Sequence, residues 1–147
     1  MTIDSSPPAR RPRVAAVFFD FGGTLFSYRQ VGGGTAFVIR DSHGVAAYLF
    51  GFLSQAEPVG YIHLTAVRSD CRRKGYASAL HRHFCDTARA KGCTAVKAIA
   101  LPSNAASVAF HTRMGMRMLG APNAQGVKVE KDHSGPGEDR VVFWKDL

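Results

Sequence analysis

"CRRKGYASAL", residues 71–80, sets Arg72, Arg73 and Lys74 directly ahead of Gly75 and a run of helix-forming residues. A helix start carries positive partial charge, so three cations there are locally unfavourable. The placement makes sense when something strongly negative sits among them. Backbone N–H groups in a first helical turn lack intrahelical partners and converge on an incoming anion. Glycine at 75 lets that backbone come close, and Ala77 keeps the turn narrow. A strand ending at Val67, a short basic loop and this glycine form a seat suited to a pyrophosphate. Taken alone, the same run also fits a solvated loop with a glycine turn.

The flanking sequence supplies the context. Downstream, Ala77, Leu80, Phe84 and Ala88 recur at three- and four-residue steps, which predicts a helix from Gly75 to Lys91 stopped by Gly92. Upstream, residues 35–41, 44–54 and 60–67 are β-rich and separated by the turn-like "SHG" and "QAEPV", which predicts an antiparallel meander. Beyond the helix, residues 94–101 read as a strand. A second helix opens on Ser103 or Asn104 as N-cap and closes at Gly115. "MRML" at 116–119 and "RVVFWK" at 140–145 read as the last strands, with a long polar loop over 120–139 between them. The class is α/β.

The chain has 147 residues, 46% hydrophobic and 20% charged, which suits one folded domain over 14–147 behind a flexible tail of residues 1–13. Its formal charge of +8 favours an anionic partner. The cations outside 72–74 are scattered, and no recognition helix, zinc finger or RNA-binding aromatic signature is present, so nucleic acid is not expected. Cys71, Cys85 and Cys93 are odd in number and lack C-x-x-C spacing. They fit free thiols in a reducing cytoplasm, with no disulfide framework and no metal site. No segment is long enough to predict a membrane span.

Two motifs together resemble the GNAT-type N-acetyltransferases. Arg72-x-x-Gly75-x-Ala77 is similar to that family's acetyl-CoA loop, and Asn104-x-x-Ser107-x-x-Phe110-His111-x-x-x-Gly115-Met116 is similar to its second cofactor-side motif. The resemblance covers about residues 35–147. It implies a mixed, mostly antiparallel sheet with flanking helices and acetyl-CoA as co-substrate. It also implies that backbone at Ala66, Val67 and Arg68 pairs with the pantetheine arm. The N–H groups of Arg73, Lys74, Gly75, Tyr76 and Ala77 would hold the pyrophosphate, and Arg72 would anchor the loop or face the phosphates. Asn104 would reach the cofactor from the other side, on the helix that carries Ser107 and Phe110.

The reaction implied is direct acetyl transfer to an amine. Many members place a tyrosine where this chain has His111, whose imidazole can give or take a proton or simply pack. For a base, a period of two in "YIHLTAV" puts Tyr61, His63, Thr65 and Val67 on one face, so His63 points into the cleft or is merely structural. Glu138 and Asp139 are alternatives, or solvated loop carboxylates.

The usual first two helices of that family have no counterpart, since only residues 14–34 stand in their place and "GGTLFSYRQVGGG" lacks helical periodicity. A non-catalytic acyl-CoA-binding module is therefore the alternative function. The apolar surface such helices would cover favours a homodimer. "VFFDFGGTLF" resembles the first motif of haloacid dehalogenase-like phosphatases, with Asp20 and Thr24 in place. Gly22 stands where that family has its second aspartate, so no phosphatase activity is expected.

Overall fold

A computed structural model describes residues 35–147 throughout and, before them, the backbone of two short strands, β1 (Phe19–Phe21) and β2 (Thr24–Phe26). The tail expected over 1–13 lies outside the described residues, as do residues 14–18 of "VAAVFFDF", whose short apolar run reads as a buried strand, and most of the glycine-flanked stretch 22–34, which reads as a loop. β1 and β2 pair antiparallel, Phe19 opposite Phe26, in a sheet of their own. Thr24–Phe26 falls in the stretch that reads as a loop, and the structure makes it a strand instead. Two glycines beside a three-residue strand hide it from any periodicity test.

From Thr35 the chain forms β3 (Ala36–Asp41), β4 (Gly44–Leu53) and β5 (Val59–Val67), then a 3-10 turn at Ser69–Cys71 and helix α1 (Tyr76–Ala90). β6 (Ala95–Ala100), α2 (Ala105–Arg113), β7 (Arg117–Met118), β8 (Ala121–Pro122), β9 (Lys128–Val129) and β10 (Val141–Asp146) follow. The main sheet has the order β3-β4-β5-β6-β10-β7. Every neighbouring pair is antiparallel except β5 with β6, so the sheet is mixed and mostly antiparallel as expected. The expected 120–139 loop contains the two-residue strands β8 and β9. They are brought together by Asn123, whose side-chain oxygen accepts from the N–H groups of Gln125 and Val127.

α1 buries Leu80, Phe84 and Ala88 of the predicted stripe and adds His81 and Cys85 beside them, while the fourth predicted position, Ala77, is half-buried at the cleft. Phe84 is wholly buried with Val96, Val141 and Phe143, and Leu49 is 1% exposed. Its ring fills the space that a Cβ at Gly51 or Gly60 would need, so these glycines let the helix lie close on the sheet. α1 ends where Gly92 turns left-handed at φ +87° and Cys93 N–H reaches back to the Ala88 carbonyl at 2.9 Å.

One register irregularity changes the predicted faces of β5. Leu64 pairs with Phe50 but Ile62 pairs with Gly51, which leaves His63 as the extra residue of a bulge. Tyr61 pairs with Phe52, and their rings stack 5.1 Å apart on the sheet face away from α1. The His63 ring joins that face, 5.9 Å from Phe50 and 6.4 Å from Phe52. Thr65 pairs with the core residue Leu49 and so belongs to the α1 face with Val67. The predicted single face for Tyr61, His63, Thr65 and Val67 is thus corrected.

Candidate active site

β5 and β6 pair over only four positions, Val59 with Ala95 through Ile62 with Ala98. Past that point β5 continues with β4 as far as Val67, and β6 continues with β10 as far as Ala100. The two central strands therefore fork and open a cleft of about 800 Å³. Arg68 N–H donates to the Ala46 carbonyl at 2.8 Å. By two-residue alternation, the main-chain groups of Thr65 and Val67 face the other way, onto the open edge. Of the three residues read for this edge, Ala66 and Val67 line the cleft and Arg68 does not.

The basic loop closes one end. Arg73 (φ +62°) and Gly75 (φ +81°) are left-handed, while Lys74 between them is not. Backbone that alternates hand in this way turns successive N–H groups toward one point, a concavity that suits an anion. Among the described residues, no acceptor takes the N–H groups of Arg73 through Ser78; the first helical bond is Ala79 N–H to the Gly75 carbonyl, 2.9 Å. A Cβ at Gly75 would meet nothing within 4 Å, so that side of the loop is open. Arg72, Arg73, Gly75, Tyr76 and Ala77 line the cleft; Lys74 is exposed beside them.

Arg68 instead lends its side chain to the base of the loop. Its guanidinium donates to both carboxylate oxygens of Asp70 (2.6 and 3.1 Å), both of Asp41 (3.2 and 2.6 Å) and the Val45 carbonyl (3.2 Å). Its Nη2 also lies 3.1 Å from Cys71 Sγ. The hydrogen bond from Arg68 pulls the Asp41 carboxyl down to about 2 and lowers that of Asp70.

α2 forms the opposite wall. Asn104 is its N-cap, which settles the choice between 103 and 104: its Oδ1 accepts from Ser107 N–H at 3.0 Å. That bond uses the amide oxygen and leaves the amide nitrogen as donor. Asn104, Ser107, Phe110 and His111 all line the cleft. His111 is 6% exposed, its ring 4.7 Å from that of Phe143 and 6.1 Å from that of His81. Burial pushes its pKa down to about 4, so the ring is neutral at physiological pH. Nδ1 is covered and has no hydrogen-bond partner among the described residues, which leaves Nε2 to reach the cleft. A buried N–H without an acceptor is rarer than an unused lone pair, so we assign the proton to Nε2.

His63 also lines the cleft, from the sheet face away from α1. Glu138 and Asp139 do not. Glu138 is held by Arg140 at 2.7 Å, and Asp139 accepts from Asp132 N–H at 3.0 Å. Sequence reasoning missed Thr65, Cys71 and Arg113, which line the cleft as well. The i, i+3 step from Phe110 to Arg113 was the available signal, since it stacks the two on one helix face. No described helix is long and apolar enough to cross a membrane, and no group of three metal-binding side chains is present among the described residues.

A family model, the acetyltransferase (GNAT) family, matches residues 6–116. The chain belongs to the GNAT family. The match begins at residue 6, so it takes in the stretch that looked atypical from sequence. Acetyl-CoA is the co-substrate of this family. Solved structures agree in fold. A protein assigned to the same family from Desulfovibrio desulfuricans has a TM-score of 0.63 at 18% identity over 76% of this chain and 67% of its own. The ribosomal-protein-S18-alanine N-acetyltransferase of Escherichia coli gives 0.59 at 19%, over 76% and 68%. An acetyltransferase of Bacillus subtilis, solved in complex with CoA, gives 0.58 at 14%, over 76% of each chain. Among curated proteins, none matches the chain.

Proposed function

We propose that this GNAT protein transfers the acetyl group of acetyl-CoA directly to an amine. The observation that carries the reading is one continuous seat: a strand edge at Thr65 and Val67 that leads to N–H groups at Arg73 through Ser78, both without a partner among the described residues. The residues fit the donor. An open β-edge pairs with the amides of a pantetheine arm as it would with a strand, through the main-chain groups of Thr65 and Val67, with Ala66 lining the cleft between them while its own main chain faces β4. The left-handed loop, with Arg72 and Lys74 beside it, suits a pyrophosphate. Asn104 offers its amide N–H from the far wall, and Ser107 and Phe110 complete that wall.

Bound acetyl-CoA supplies an activated thioester. Against it, His111 holds an Nε2–H in the cleft and stabilises negative charge on the departing sulfur by hydrogen bonding. A neutral imidazole can serve in this way where an imidazolium is not available. His63, on the other side of the fork, accepts the proton of the attacking amine directly or through water. An amine acceptor accords with the E. coli neighbour, named for acetylating an alanine of ribosomal protein S18. Three buried free thiols accord with a cytoplasmic setting.

Calorimetric titration with acetyl-CoA, followed by thiol release with a panel of amines, tests the reading. Micromolar binding and amine-dependent thiol release support it. Binding with no release by any amine would favour the non-catalytic acyl-CoA module, and absence of binding would overturn both.

A further inference from the structure

We propose that Arg68 is a positioning residue that, braced by Asp41, holds the phosphate loop in its binding shape and so sets affinity for CoA. The inference rests on the functional reading above.

The loop has little else to hold it. Cys71 N–H to the Arg68 carbonyl (2.9 Å) and Arg72 N–H to the Ser69 carbonyl (3.5 Å) are its own backbone bonds, and the next six N–H groups have no acceptor among the described residues. Arg73 sits in left-handed backbone without being glycine, and it stands between two other cations. Each feature favours some other loop shape in the absence of an anion.

The Arg68 guanidinium opposes this by joining two places far apart in sequence. Asp70 and Cys71 belong to the loop, while Asp41 ends β3 and Val45 lies at the start of β4. Cys71 Sγ adds a contact of 3.6 Å to Asp41 Oδ2, and Asp41 Oδ1 is fixed by His43 N–H at 2.8 Å. The planar fork of arginine can serve both carboxylates at once, which the single ammonium of lysine cannot. None of these side-chain groups needs to touch the ligand. Their effect is to meet the ordering cost of the loop before CoA arrives.

Asp41→Asn and Arg68→Lys test this, with Asp86→Asn as control because it removes an exposed ion pair on α1 away from the loop. Each protein is titrated with CoA, melted, and examined for amide exchange across residues 69–77 without ligand. For both test variants the expected result is faster exchange at Cys71 and Arg72 and CoA affinity weakened about tenfold. Turnover at saturating donor should stay within about twofold, since only donor binding is touched. The control should match wild type. Folded test variants that keep wild-type affinity and exchange overturn the inference, as does a lowered melting temperature with unchanged affinity. A wild-type chain that binds no CoA overturns the functional reading and this inference with it.

Discussion

At neutral pH the His111 ring carries no charge, because burial against Phe143 and His81 removes the water that would stabilise an imidazolium. In the proposed reaction its part is therefore that of a hydrogen-bond donor. His111→Phe keeps a ring and removes the Nε2–H. It should lower kcat by about a hundredfold, the scale for one preorganised donor, while the acetyl-CoA dissociation constant changes by less than about threefold. Steady-state kinetics with parallel calorimetry separate the two. Gly75 offers a second residue-level test. Its φ of +81° costs a side chain about 1–2 kcal/mol, as does the +109° of Gly44, and a Cβ at either meets nothing within 4 Å. Gly75→Ala and Gly44→Ala should thus lose similar stability in urea. Only Gly75→Ala should also lose CoA affinity, because its methyl group enters the phosphate seat. The glycine and the cations beside it were legible from sequence, since local rules govern a helix start. The neutral state of His111 was not, because burial is a property of the whole fold.

Elements show where periodicity works and where it stops. α1 reads correctly because five buried positions repeat at helical spacing. β5 misleads, because a single inserted residue at His63 moves everything after it to the other face, and alternation carries no mark of the insertion. The neighbouring glycine has a consequence for packing. A methyl group at Gly51 would run into the Phe84 ring and the Tyr61 carbonyl. Gly51→Ala should therefore destabilise the protein by about 1–3 kcal/mol, the usual cost of overpacking a core. A shifted urea midpoint with unchanged slope would show it, and unchanged stability would mean that the α1–sheet contact is softer than its geometry.

For the molecule as a whole, acid should be the weak point. His81 and His111 both have pKa values lowered from 6.5 to about 4, chiefly by burial. The unfolded chain takes up protons at these rings first, so stability is complete above about pH 6.5 and falls as pH drops toward 4. Asp41, lowered to about 2, adds a further loss only below about pH 3.8. Unfolding midpoints measured from pH 7 to 4 should fall steadily, and His81→Leu should flatten the fall.

From sequence alone come the elements of the main sheet to within a few residues, the basic loop ahead of α1, and α2 with its N-cap narrowed to Ser103 or Asn104. Each is written in spacing over a dozen residues or fewer. Tertiary structure alone decided that β10 enters between β6 and β7, that β5 and β6 part after four pairs, and which cleft receives His111. It also turned Arg68 from a strand-end residue into the brace of the loop. These features depend on contacts between residues 25 to 51 positions apart, from Phe143 with Met118 to Asp146 with Ala95, with Arg68 and Asp41 27 apart. Partners so far apart are chosen by the packing of the whole core, which no local pattern encodes.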